Sequence, residues 1–205
     1  MNLMQLGGPM MWPLLGLSVA ALGIILERAL VFSTFRMPDK ELEERLCKNA
    51  EAGEFGGILR SLHDKSPNLV SMIRPLLAGT SQHSSEQTEQ LAAIEGKDIL
   101  ARLDKRLCVL STTARVAPLM GLLGTVLGMI QTFSRMSEAQ GAVDMTALAG
   151  GIWQALLTTA TGLSIAIPVL LAHQYFSRRR DNAAFRLQRL ANLIMAHMQR
   201  KDAEQ

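Results

Sequence analysis

Charge along the chain marks its divisions more sharply than average composition does. Asp, Glu, Lys and Arg are absent from three stretches: Met1 to Leu26, Val116 to Ser134 and Met145 to Ser177. A helix crosses a membrane with about 20 mostly apolar residues. Each stretch can supply one, and a buried helix of a soluble protein rarely runs this long without a charge. The pattern predicts membrane helices over residues 10–32, 116–133 and 147–176. Residues 1–9 and the short loop 134–146 are the segments left on one side. A polar region, 33–115, and a tail, 177–205, are left on the other.

The polar region carries its own helical signals. Leu42, Leu46 and Ala50 repeat every four residues, and Gly53, Gly56 and Gly57 interrupt them. Leu59 and Leu62 suggest a short helix ending near Pro67, and a further one over 69–77 is broken at Pro75. From Glu86, Leu100, Leu103, Leu107 and Leu110 recur at three- and four-residue spacing. This is an a/d-type seam, with no evident stop before the second span. Pro118 can kink that helix near the start of the span, and Pro168 sits inside the third. In the tail, Leu187, Leu190, Ile194 and Met198 share one helical face. The fold class expected is therefore all-α: an integral membrane protein with three transmembrane helices and a helical cytoplasmic domain.

The basic residues set the orientation. Of 21 Lys and Arg, only Arg135 lies in the loop 134–146, and none precedes Arg28. Positive charge accumulates on the cytoplasmic side, so the N-terminus is expected outside and the polar region and tail inside. Arg178, Arg179 and Arg180 anchor the inner end of the third span. The first apolar stretch has no positive segment ahead of it, unlike a signal peptide, and reads as a span. Glu27 and Arg28 read as an interfacial pair near its inner end.

Composition narrows the function classes. The net charge of +3 follows from the membrane-flanking bases, and aromatic residues are only 4%, too few for a base-stacking surface. Nucleic acid is not an expected partner; the lipid bilayer is. Cys47 and Cys108 lie apart in charged sequence and form no ligand cluster, so neither a metal nor another cofactor is expected. The chain has no HExxH, no GxSxG and no nucleophile with a base at matching depth, so it does not read as an enzyme.

Two spans are unlike lipid-facing helices. Gly121, Thr125, Gly128 and Thr132 recur at four, three, four, and so do Ala155, Thr159, Gly162 and Ala166. Each set is a stripe of small residues down one face, and Gly124 with Gly128 makes a GxxxG. Close helix packing and pore lining both fit these stripes, and a ring of helices accommodates both. Gln154, Thr158, Thr159, Thr161 and Ser164 place five polar side chains within eleven residues at membrane depth. They must face protein or water. No Asp, Glu or Lys lies at the centre of any span. The chain offers a polar wall and no proton carrier.

The segments APLMGLLGTVLGMIQTF, 117–133, and GGIWQALLTTATGLSIAIPVLLAHQYF, 150–176, resemble the second and third spans of the ExbB/TolQ/MotA proton-channel family, in its ExbB/TolQ branch. The order of spans and the loop lengths resemble it too. The resemblance implies an inner-membrane homopentameric ring whose second and third spans line a central pore. It implies a single-span ExbD/TolR-like partner carrying an essential Asp, and a TonB/TolA-like protein beyond it. The function implied is a channel subunit of a proton-driven motor working on the cell envelope. The alternative is a non-conducting scaffold for a single-span partner. Thr125 and Thr159 match the family's pore threonines, and Thr132, Gln154 and Thr158 join them as expected pore-lining residues. Gly121, Gly124, Gly128 and Gly162 are the expected packing positions. Gln154 falls where the branch commonly carries Glu, and Arg115 where it has a small residue.

The topology makes both thiols cytoplasmic. In right-side-out spheroplasts a membrane-impermeant maleimide is expected to label Cys47 and Cys108 only after the membrane is opened. Labelling of either in sealed spheroplasts would reverse the orientation.

Overall fold

The computed structural model describes residues 8–35, 85–138 and 145–203. These form four helices: α1 (Met11–Thr34), α2 (Ser85–Asp104), α3 (Leu107–Glu138) and α4 (Met145–Ala203). Three helical stretches, Met11–Thr34, Ala93–Glu138 and Met145–Leu193, are long and apolar enough to cross a membrane. The described residues are helical, with three such elements among them, as the charge pattern predicts. The helices expected within 36–84, Cys47 and loop residues 139–144 lie outside the described residues.

The helices contribute to two compact units. The first takes α1 up to Arg28, α3, and α4 up to Tyr175. Its three helices meet where Leu14 of α1 enters a seat made by Ala117 of α3 and Ala166 of α4, flanked by Leu17, Met120 and Ile165. One large side chain fits because the two opposite it are small, the large-against-small packing that fills a core without voids. Ahead of α1, Gly8 has φ of 74° and its carbonyl accepts from the Met11 amide at 3.2 Å. Pro13 sits in the first turn of α1, where its missing N–H leaves no intrahelical bond unmade. Pro118 and Pro168 lie within unbroken α3 and α4.

The second unit takes α1 from Ala29, α2, and α4 from Phe176. Phe32 and Phe176 stack with centroids 5.2 Å apart, both buried, which joins α1 to α4. Ile99 and Leu103 of α2 and Ala183, Leu187 and Leu190 of α4 are buried as well. Leu103 of the first period and Leu187 and Leu190 of the tail period thus face protein. Arg180 pairs with Asp104 at 3.3 Å, tying α4 to the end of α2.

The structure corrects one expectation. The helix beginning near Glu86 does not run unbroken into the second span: α2 stops at Asp104 and α3 begins at Leu107. Arg106 between them has φ of 65°, in the left-handed region. The Lys105 amide closes α2 on Ala101 O at 3.0 Å, and Arg106 O accepts from Val109 and Leu110 at 3.1 and 3.3 Å. A left-handed conformation costs a residue with a Cβ roughly 1–2 kcal/mol. The Arg106 guanidinium is ion-paired with Glu27 of α1, whose other oxygen accepts from buried Arg28 at 2.9 Å. A partly exposed pair of this kind contributes up to about 1 kcal/mol. The pair offsets part of that cost and no more.

Candidate functional site

The small-residue faces of α3 and α4 meet along their length. A Cβ added to Gly151 would collide with the Thr132 side chain, and one on Gly124 with that of Thr158. One on Gly128 would lie 3.3 Å from Ala155 Cβ, and one on Gly121 3.1 Å from Thr159 Cα. One on Gly162 would stand 2.6 Å from Ala117 O and 3.1 Å from Gly121 Cα. Residue numbers fall on α3 as they rise on α4, so the two helices run antiparallel. Backbones this close exclude side chains from the crossing and allow Cα–H···O contacts. Gly121, Gly124, Gly128 and Gly162 all lie on this crossing. Gly151, Ala117 and the Glu27–Arg106 pair are positions the sequence did not single out; only Gly151, one turn before Ala155, carried a readable signal.

The polar residues separate into three settings. Thr132 and Thr158 are buried in the seam. Their hydroxyls donate to Gly128 O at 2.8 Å and Gln154 O at 3.0 Å, one turn back on their own helices. Thr159 is half-buried, and its hydroxyl crosses to α3, donating to Gly121 O at 3.0 Å. Thr125 is half-buried too and donates to Leu122 O at 2.6 Å. It opens a groove along α3 with Val126, Met129, Ile130, Phe133, Ser134 and Ser137. Gln154 is half-buried beside the turn that precedes α1: its Nε2 is 2.7 Å from where a Cβ on Gly8 would stand.

Helical geometry relates Thr125 to Thr159. At 3.6 residues per turn, each lies roughly 60° from the centre of its helix's buried face, in the same rotational sense. On antiparallel helices equal offsets in one sense come to the same flank. The contacts of Gly124 with Thr158 and of Gly121 with Thr159 put both at the same level. The two hydroxyls therefore edge one flank of the seam, while Thr132 and Thr158 sit within it. The outward faces of these helices are large and apolar, with Leu122, Val126, Ile130, Leu156, Leu163 and Ile167 among the exposed side chains. Such faces belong against lipid or other protein.

Comparison with known proteins gives a consistent picture. A family model described as the MotA/TolQ/ExbB proton channel family matches residues 61–189. The chain is 32% identical to the biopolymer transport protein ExbB-like 3 of Synechocystis, over 83% of this chain and 81% of that protein. It is 28% identical to the biopolymer transport protein exbB1 of Vibrio cholerae, over 94% and 86% of the two chains. It is 36% identical to the Tol-Pal system protein TolQ of Pseudomonas aeruginosa, over 49% and 43%.

The crossing makes a ranked prediction for thermal unfolding in detergent. Gly162→Ala sets a methyl against backbone and is expected to destabilise by about 1–3 kcal/mol. Gly124→Ala meets a side chain that can turn, and should cost less. Gly16→Ala has open space around its Cβ and should be neutral or stabilising by up to about 1 kcal/mol. Equal effects at the three sites would contradict the tight crossing.

Proposed function

The chain belongs to the MotA/TolQ/ExbB proton channel family, in its ExbB/TolQ branch, and on that premise we propose that it is the multi-copy wall of an inner-membrane, proton-driven motor. Five copies form a ring, with the N-terminus periplasmic and the polar region and tail cytoplasmic. An ExbD/TolR-like single-span partner stands in the ring and carries the Asp that takes up and releases the proton. A TonB/TolA-like protein passes the work to the envelope. The near absence of Lys and Arg from one side of the spans supports this orientation.

The observation that carries the reading is the shared flank of Thr125 and Thr159. A partner carboxylate buried there as an anion costs several kcal/mol if unassisted. Hydroxyls lower that cost. The Thr125 and Thr159 hydroxyls already give their protons to Leu122 O and Gly121 O, so each accepts from a protonated acid as it stands and donates to the carboxylate by rotating off its carbonyl. Half-buried Thr125 and Thr159 form the polar part of this flank, while Gln154, roughly 140° around α4 from Thr159, adds a polar group on the side of the turn before α1. Thr132 and Thr158 act one layer back, holding the two wall helices together. Gln154 does not titrate, so it contributes hydrogen bonds and no proton relay. A second reading, a non-conducting scaffold for the same partner, draws support from that amide standing where relatives of this branch commonly have a carboxylate.

Thr→Val removes a hydroxyl at nearly constant shape. Thr125→Val and Thr159→Val are each expected to assemble with the partner and to lose most proton-coupled work, measured in a deletion strain of the native host. Thr→Ser at either position should keep it. Full activity of both valine variants would remove the pore assignment of this flank; failure to assemble would make the two threonines packing residues.

A further inference from the structure

The break between α2 and α3 has no local cause in the sequence. Residues 99–110 read ILARLDKRLCVL, with no Gly, Pro or Asn to stop a helix. The pattern on both sides is helical, and buried Leu103 and Leu107 continue one period across it. Left to local preference, this segment would be continuous helix. At Arg106 itself the tertiary contact comes from α1, while Asp104, two residues earlier, pairs with Arg180 of α4. The Glu27 carboxylate holds Arg106 with one oxygen and Arg28 with the other. Arg28 is buried, so the carboxylate is held on one oxygen from the protein side while the other meets Arg106.

We propose that Glu27 is a positioning residue that pins Arg106 in the left-handed conformation and so fixes where the wall helix α3 begins. The pin matters because α3 carries half of the crossing. A continuous α2–α3 helix would give the amides that open α3 partners in the preceding turn and remove the independent start of the wall helix. Fixing that start keeps Ala117, Gly121 and Gly124 in register with α4. The functional half of this inference rests on the motor reading above; the structural half does not.

Two uncharged replacements separate backbone conformation from charge. Arg106→Ala removes the pin and keeps a Cβ, so the chain should relax into helix. Arg106→Gly also removes the pin, but glycine adopts positive φ without penalty, so the break should survive. Hydrogen exchange of the full chain in lipid nanodiscs reads the difference. At a helix start the first amides lack intrahelical partners, so residues 106–108 exchange fast in the parent. In Arg106→Ala their exchange is expected to slow by about tenfold or more. Glu27→Gln should behave the same way, and Arg106→Gly should remain fast. In the native host, activity should fall in the first two variants and persist in Arg106→Gly. Fast exchange in all three would overturn the pin. Loss of activity in Arg106→Gly with the break intact would overturn positioning as the role of the pair. If the motor reading alone is wrong, the exchange results stand and no variant changes proton-coupled work.

Discussion

The close approach of two antiparallel membrane helices at Gly121 and Gly162 governs what the rest of this subunit can be. Within lipid there is no hydrophobic driving force for helices to associate, so packing and short polar contacts must hold them. Small residues satisfy that need at every turn of the seam, from Thr132 against Gly151 to Ala117 against Gly162. The result is a helix pair that meets backbone to backbone at Gly121 and Gly162 and through small side chains elsewhere along the seam. Leu14 of α1 closes it from behind by filling the seat that Ala117 and Ala166 leave.

That geometry assigns the threonine hydroxyls. A threonine in a membrane helix meets its own polar need by bonding back one turn, as Thr132, Thr158 and Thr161 do. Thr159 bonds to the opposite helix instead, at the crossing itself. It links the seam to the flank that Thr125 shares. A wall of this kind solvates a charge brought to it and holds none of its own, which is why a partner supplying the titrating group is integral to the proposed function.

The spans were legible because lipid excludes charge so strongly that its absence over a whole turn-length pattern is a direct physical record. The glycine stripe was legible in the sequence because small residues recur at helical spacing, and at the crossing a Cβ on Gly162 or Gly121 would meet backbone. The finer division of the stripes was not. A four-three-four spacing marks one side of a helix, but a strip that wide includes both the centre, where Gly121 lies, and the edge, where Thr125 lies. Which residue sits where depends on how α4 meets it. The end of α2 was still less accessible. Arg106 carries no signal for positive φ, and its ion-pair partner is 79 residues away. A conformation set by tertiary contact against local preference leaves no mark in a local pattern.

The central claim is that this chain is a proton-path wall lacking its own carrier. Moving one charge through 100 mV yields about 2.3 kcal/mol, no more than the lowest figures for placing an unassisted charge at mid-membrane. The direct test is proton flux into liposomes holding a pH gradient, with the subunit reconstituted alone and then with its single-span partner. The account predicts that the subunit alone leaves the gradient intact and that adding the partner dissipates it. Rapid dissipation by the subunit alone, or an intact gradient in the presence of the assembled partner, would contradict it.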